Sequence, residues 1–210
     1  MKIVFTQEEM KKLLEACKIL CKTSKYNTER LNVVNLAIED DKVIAYATDR
    51  YQFLKITFNN NDMIKEAPDN MQNGFIIGYK VANLYGILLN YLKKTDTSIA
   101  NIYIIDTNDI DNIIVNNNIF IYVKDILVFD NVHLDIRNYK SNKPAPQALI
   151  SPYCMLRLAK ILKVFVKDEM DAVKQTTHIL NILTTMTTEW ECEDYKVEIL
   201  TTLCSRYRGA

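Results

Sequence analysis

The sequence predicts an α+β fold assembled from a repeated unit of one strand, one helix and about three further strands. Three observations carry that prediction. A short N-terminal strand is followed at once by an amphipathic helix, alternating runs break at Asp and Asn turns, and the same order returns near Gly74 and again near Gln147. Each unit is roughly 60 to 70 residues long, and because residue identities barely repeat, the recurrence reads as a structural repeat carried by pattern alone.

The elements follow in order. KIVFTQ reads as a strand, and Thr6 with Glu9 three residues later is a capping-box signature that opens a helix over Thr6–Ser24. Met10, Leu13, Leu14, Cys17, Leu20 and Cys21 recur at helical spacing and form its apolar stripe. The stretch from Val33 to Asn60 alternates as a meander, breaking at Asp40-Asp41 and at Asp49-Arg50. An Asn-rich loop from Asn59 to Asn73 precedes the second unit: a strand in GFIIGYK, a helix with Leu84, Ile87, Leu88 and Tyr91 on one side, then strands in NIYIID, NIIVN and IFIYVK. After a loop holding Pro144 and Pro146, Ser151-Pro152 supplies an N-cap and a proline at the first helical position. That helix runs from about Tyr153 to Asp168, and strand-like alternation fills the remainder.

Composition narrows the class. With 210 residues, 49% of them hydrophobic, the chain is long enough for one large domain or two small ones. It has no run near the roughly 20 apolar residues of a membrane span. The charged N-terminus is unlike a secretory signal, so a cytoplasmic location is expected. The five cysteines, Cys17, Cys21, Cys154, Cys192 and Cys204, are scattered in apolar settings and fit reduced core residues better than a disulfide framework or a closed zinc site.

Chemistry is sparse. There is no GxSxG, no glycine-rich phosphate loop and no HExxH, the chain has four glycines, and His133 and His178 lie far apart. Asp106, Asp109 and Asp111 lack the glycine and terminal glutamate of a calcium loop. No catalytic site, metal or cofactor is expected. The helices are more informative. Lys11, Lys18, Lys22 and Lys25 mark the first, and Arg157, Lys160, Lys163 and Lys167 mark the last. With 26 basic and 26 acidic residues the chain has no net charge, so any nucleic-acid contact must come from such local faces, which suit a phosphate backbone without reading sequence. The same lysines also serve as an ordinary solvated helix face.

One stretch carries a resemblance. YATDRYQFLKI, with Ala47, Thr48, Asp49, Arg50 and Tyr51 at its turn, resembles the ATDGYRL strand-turn-strand signature of the bacterial DNA polymerase III beta sliding clamps. LLEACKIL looks like that family's first helix, SPYCMLRLAKILK like the helix opening the second half of a clamp domain, and VEILTTLCSRY is placed like its closing strand. Arg50 stands where the family has glycine, Gln52 and Phe53 replace Arg-Leu, and the MPxR ending that helps form the partner-peptide pocket is replaced by Leu203, Cys204, Ser205 and Arg206.

The resemblance implies a sliding-clamp fold, with residues 1–140 as one clamp-like domain and 141–210 as a second, partial one. It implies a non-catalytic processivity or tethering factor for duplex DNA, of a kind a phage or mobile element encodes, serving a DNA polymerase or other replication or transcription proteins. The helix lysines and arginines would face DNA in the lumen of a homo-oligomer, a trimer if the chain behaves like the two-domain clamps. A clamp-derived interaction module that captures replication or transcription proteins without encircling DNA is the competing expectation.

Overall fold

In the computed structural model, which describes residues 2–21, 33–49, 51–65, 76–80, 84, 86, 88, 102–106, 112–115, 119–122, 150–166, 168, 176–181 and 185–202, strand β1 (Lys2–Thr6) passes directly into helix α1 (Gln7–Cys21). The junction is the reciprocal cap that the sequence encodes. The Thr6 amide donates to Glu9 Oε2 at 2.7 Å, and the Glu9 amide donates to Thr6 Oγ1 at 3.2 Å. Asn60 Nδ2 donates to the other Glu9 oxygen at 3.1 Å, which ties the helix start to the end of the meander. Residues 22–32, which hold the expected end of this helix at Ser24, lie outside those described.

The meander is β2 (Val33–Glu39), β3 (Lys42–Thr48) and β4 (Gln52–Phe58). Its first turn is two residues long, pairing Glu39 with Lys42, and both Asp40 (φ 49°) and Asp41 (φ 58°) occupy the left-handed region that such turns require and Asp tolerates. A short 3₁₀ turn at Asn61–Met63 leads into β5 (Ile64–Lys65). The second unit contributes β6 (Ile76–Lys80), helical residues at Leu84, Gly86 and Leu88, then β7 (Ile102–Asp106), β8 (Asn112–Val115) and β9 (Ile119–Tyr122). The third contributes helix α2 (Pro152–Phe165) and strands β10 (Thr176–Asn181), β11 (Thr185–Glu191) and β12 (Tyr195–Thr202). Pro152 opens α2 as expected, but Ser151 caps it without a side-chain hydrogen bond.

The repeat is visible in the topology. The first two units exchange their leading strands: β1 pairs with β7 of the second unit, Phe5 opposite Tyr103, while β6 pairs with β2 of the first, Gly78 opposite Asn35. This yields a five-stranded sheet, β5-β1-β7-β8-β9, and a seven-stranded sheet, β10-β11-β12-β4-β3-β2-β6. In the larger sheet β12 pairs with β4, Ile199 opposite Leu54, so the hydrogen-bond ladder runs unbroken from the first unit into the third. An edge that each unit would otherwise leave open is thereby satisfied.

Alternation along the strands decides which face meets the helices. Ala45, Ala47, Leu54, Ile56, Val197 and Ile199 join Leu13, Leu14, Cys17, Leu158 and Ile161 in one core, with Leu84 and Leu88 of the second unit. Ala37, Ile44, Tyr46 and Phe53 form a smaller buried cluster from the alternate positions, where the Tyr46 and Phe53 rings stack at 5.5 Å. Cys17 and Cys154 are buried, as the apolar spacing leads one to expect.

Where α1 meets the third unit an aromatic cluster forms. Tyr195 packs edge-on against Phe58 at 5.7 Å and Phe165 at 5.6 Å, and the Lys12 ammonium lies 4.7 Å from its ring centroid. Burial, helped by the carboxylates of Glu9, Glu8 and Asp194, keeps the Tyr195 phenol protonated to higher pH than a free tyrosine. The unfolded chain releases this proton at about pH 10, while the folded chain retains it. The contribution is therefore whole below about pH 10 and is lost as pH rises further. Tyr195→Phe should flatten the fall in stability between about pH 10 and 12 in urea titrations; an unchanged fall would refute that assignment.

Candidate nucleic-acid interface

Helix α1 rests on β3 and β4, α2 rests on β12, and the two helices pack against each other on one face of the seven-stranded sheet. Each buries a stripe and turns the other side outward. In α2 the stripe is Cys154, Leu158, Ile161 and Phe165. Lys160 and Lys163 are exposed on its other side, as is Lys11 on α1, whereas Lys18 is half-buried. Lys22, Lys25 and Lys167 lie outside the described residues.

The two helices differ in charge. On α1, Glu8 pairs with Lys12 at 2.8 Å and Glu9 is held in the cap, so part of its charge is internally balanced. Helix α2 contains no acidic residue. Its basic end therefore presents a positive surface with no opposing charge on the same helix.

Arg157 has a different setting from the lysines. Its guanidinium Nη1 donates to Asp49 Oδ2, the two side chains being 13% and 2% exposed, and Nη2 lies 3.3 Å from Cys154 Sγ. The charge is neutralised across the joint between the first and third units. The sequence groups Arg157 with the lysines by charge, yet its position, three residues after Cys154 and four before Ile161, is at the margin of the buried stripe. That spacing was the available signal.

The contacts of Thr48, Asp49 and Gln52 explain the acidic interruption of this strand pair. Ala47 is buried at the end of β3, and Thr48 Oγ1 donates to the Gln52 carbonyl at 2.8 Å. Asp49 Oδ1 accepts from the amides of Tyr51 at 3.0 Å and Gln52 at 2.7 Å, so one carboxylate caps the turn with one oxygen and holds Arg157 with the other. Gln52 Nε2 donates to the Cys154 carbonyl at 3.0 Å and to Thr201 Oγ1 at 3.1 Å, while the Thr202 amide and hydroxyl donate to the Tyr51 carbonyl at 2.8 and 3.0 Å. Turn, helix start and closing strand are thus one polar joint. Arg50 lies outside the described residues.

Solved structures share this architecture across almost the whole chain. The DNA polymerase sliding clamp of Bacillus subtilis superposes with a TM-score of 0.62 at 11% identity over 100% of this chain. The fold is that of the sliding clamps. The DNA polymerase III subunit beta sliding clamp of Bartonella birtlesii gives 0.63 at 14% identity over 97% of the chain. The Proliferating Cellular Nuclear Antigen of Entamoeba histolytica gives 0.58 at 10% over 97%. The chain spans 66% of the length of the Bacillus clamp and 98% of that of the Entamoeba protein. No protein-family model and no curated protein matches the sequence, so the likeness rests on fold alone.

Within this sliding-clamp fold, no three His, Cys, Asp or Glu side chains among the described residues come together where a metal ion would be held. No described helix is long and apolar enough to cross a membrane. What the arrangement offers is a helix layer with lysines on its open side, backed by a sheet that crosses from one unit to another.

Proposed function

We propose that this chain is a non-catalytic, sliding-clamp-like factor that grips duplex DNA without sequence preference and tethers a DNA polymerase or another replication or transcription protein to it. The observation that carries the reading is the α1–α2 layer, with Lys11, Lys18, Lys160 and Lys163 on a helix pair supported by a sheet continuous across the β4–β12 joint. Phosphate contacts of this kind position a protein without specifying bases, which is what sliding requires.

On this reading residues 1–140 are one clamp-like domain and 141–210 a partial second, and the protein works in the cytoplasm as a homo-oligomer, with a trimer as the expected form. A protein partner is consistent with the clamp fold, since the PCNA of A. fulgidus is known with the C-terminal region of FEN-1 bound.

Titration of unrelated duplexes over a range of salt concentrations tests the proposal. Binding should be equal across sequences, and log K should fall linearly with log salt. No binding at low salt, or binding to one sequence only, would refute it.

A further inference from the structure

The open side of α2 is not uniformly basic. Before Lys160 and Lys163 it exposes Tyr153 (78%), Leu156 (53%) and Met155 (39%), and the turn locked to this helix exposes Tyr51 (62%). The lock is the hydrogen bond from Gln52 Nε2 to the Cys154 carbonyl at 3.0 Å, which joins the residues next to the two tyrosines. Two solvent-facing tyrosines therefore flank one joint, and lysines follow on the same helix with no acidic residue between.

Duplex phosphates gain nothing from Tyr, Leu and Met, whose exposure has a cost in water. Unpaired bases do gain, because every base has a face that stacks on an aromatic ring, while its phosphates meet nearby lysines. An exposed helix side is convex, which suits a strand laid over it better than a peptide that needs a groove. We infer that Tyr51, Tyr153 and Leu156, with Lys160 and Lys163, form a platform for single-stranded nucleic acid at the α2 end of the helix layer. This rests on reading the layer as a nucleic-acid face and adds that part of that face takes unpaired bases.

Fluorescence anisotropy of the full chain with labelled oligo-dT of about 20 nucleotides, beside a duplex of equal length, tests it. Tyr51→Ala and Tyr153→Ala should each weaken oligo-dT binding about tenfold and leave duplex binding within about twofold, whereas Tyr153→Phe should keep it. Lys160→Gln with Lys163→Gln should weaken both ligands. Equal losses on both ligands, or no loss from either tyrosine variant, would overturn the platform while leaving the duplex reading standing. Failure of the wild-type chain to bind duplex, with oligo-dT still held through the tyrosines, would overturn the duplex reading alone. Binding of neither would overturn both. Capture of a labelled Glu-Leu peptide through the tyrosines, with no oligo-dT binding, would overturn the platform in favour of an acidic protein partner.

Discussion

Arg157→Met and Asp49→Asn are each expected to lower the unfolding free energy by about 3–5 kcal/mol, the size of effect seen when one member of a buried ion pair is removed. The pair is nearly dry, with side chains 2% and 13% exposed. Methionine keeps much of the arginine's bulk but leaves the Asp49 carboxylate in a buried site with, among the described residues, the Tyr51 and Gln52 amides as its hydrogen-bond donors. Asparagine keeps the acceptor that caps the turn and removes the charge that faces the Arg157 guanidinium. Because each single change breaks the same contact, the double variant should lose much less than the sum, and denaturant unfolding of the four proteins reads that coupling. Additive losses would show that the two charges do not act as a pair. With total stabilities of domains at about 5–15 kcal/mol, either single change takes a large share.

The second large effect concerns binding. Replacing Lys11, Lys18, Lys160 and Lys163 together by Gln is expected to make the dependence of log K on log salt shallower by about 3 to 4 units, since each neutralised phosphate contributes about 0.9. Lys11, Lys160 and Lys163 lie on open helix surface, so circular dichroism should report an unchanged fold. A slope equal to that of the wild-type chain would remove these residues from the DNA-facing surface. Loss of Arg157 would report on the joint with Asp49 rather than on phosphate.

How much of this was legible in the sequence follows the range of the interaction. The Thr6–Glu9 cap, the α1 stripe and the Asp40-Asp41 turn depend on residues within a few positions of each other, and spacing alone reveals them. The recurrence of a helix followed by strands was legible for the same reason, the leading strand expected near Gln147 lying outside the described residues. The exchange of β1 and β6 between units was not, because hydrophobic alternation specifies which face is buried and says nothing about which strand lies beside it. Asp49 and Arg157 are 108 positions apart, and no local pattern pairs them. The exposure of Tyr153 and Leu156 is hidden for another reason: an aromatic and a leucine on an amphipathic helix read as core until packing shows that the buried stripe is Cys154, Leu158, Ile161 and Phe165.

The central claim is that a clamp-like chain surrounds DNA, and a ring needs closure by further subunits. Light scattering across a concentration series, at low and moderate salt, measures it most directly. A discrete closed oligomer, a trimer above all, whose mass holds as the protein is diluted is the predicted result. A monomer at every concentration would contradict encirclement and leave a clamp-fold module that acts through its partners.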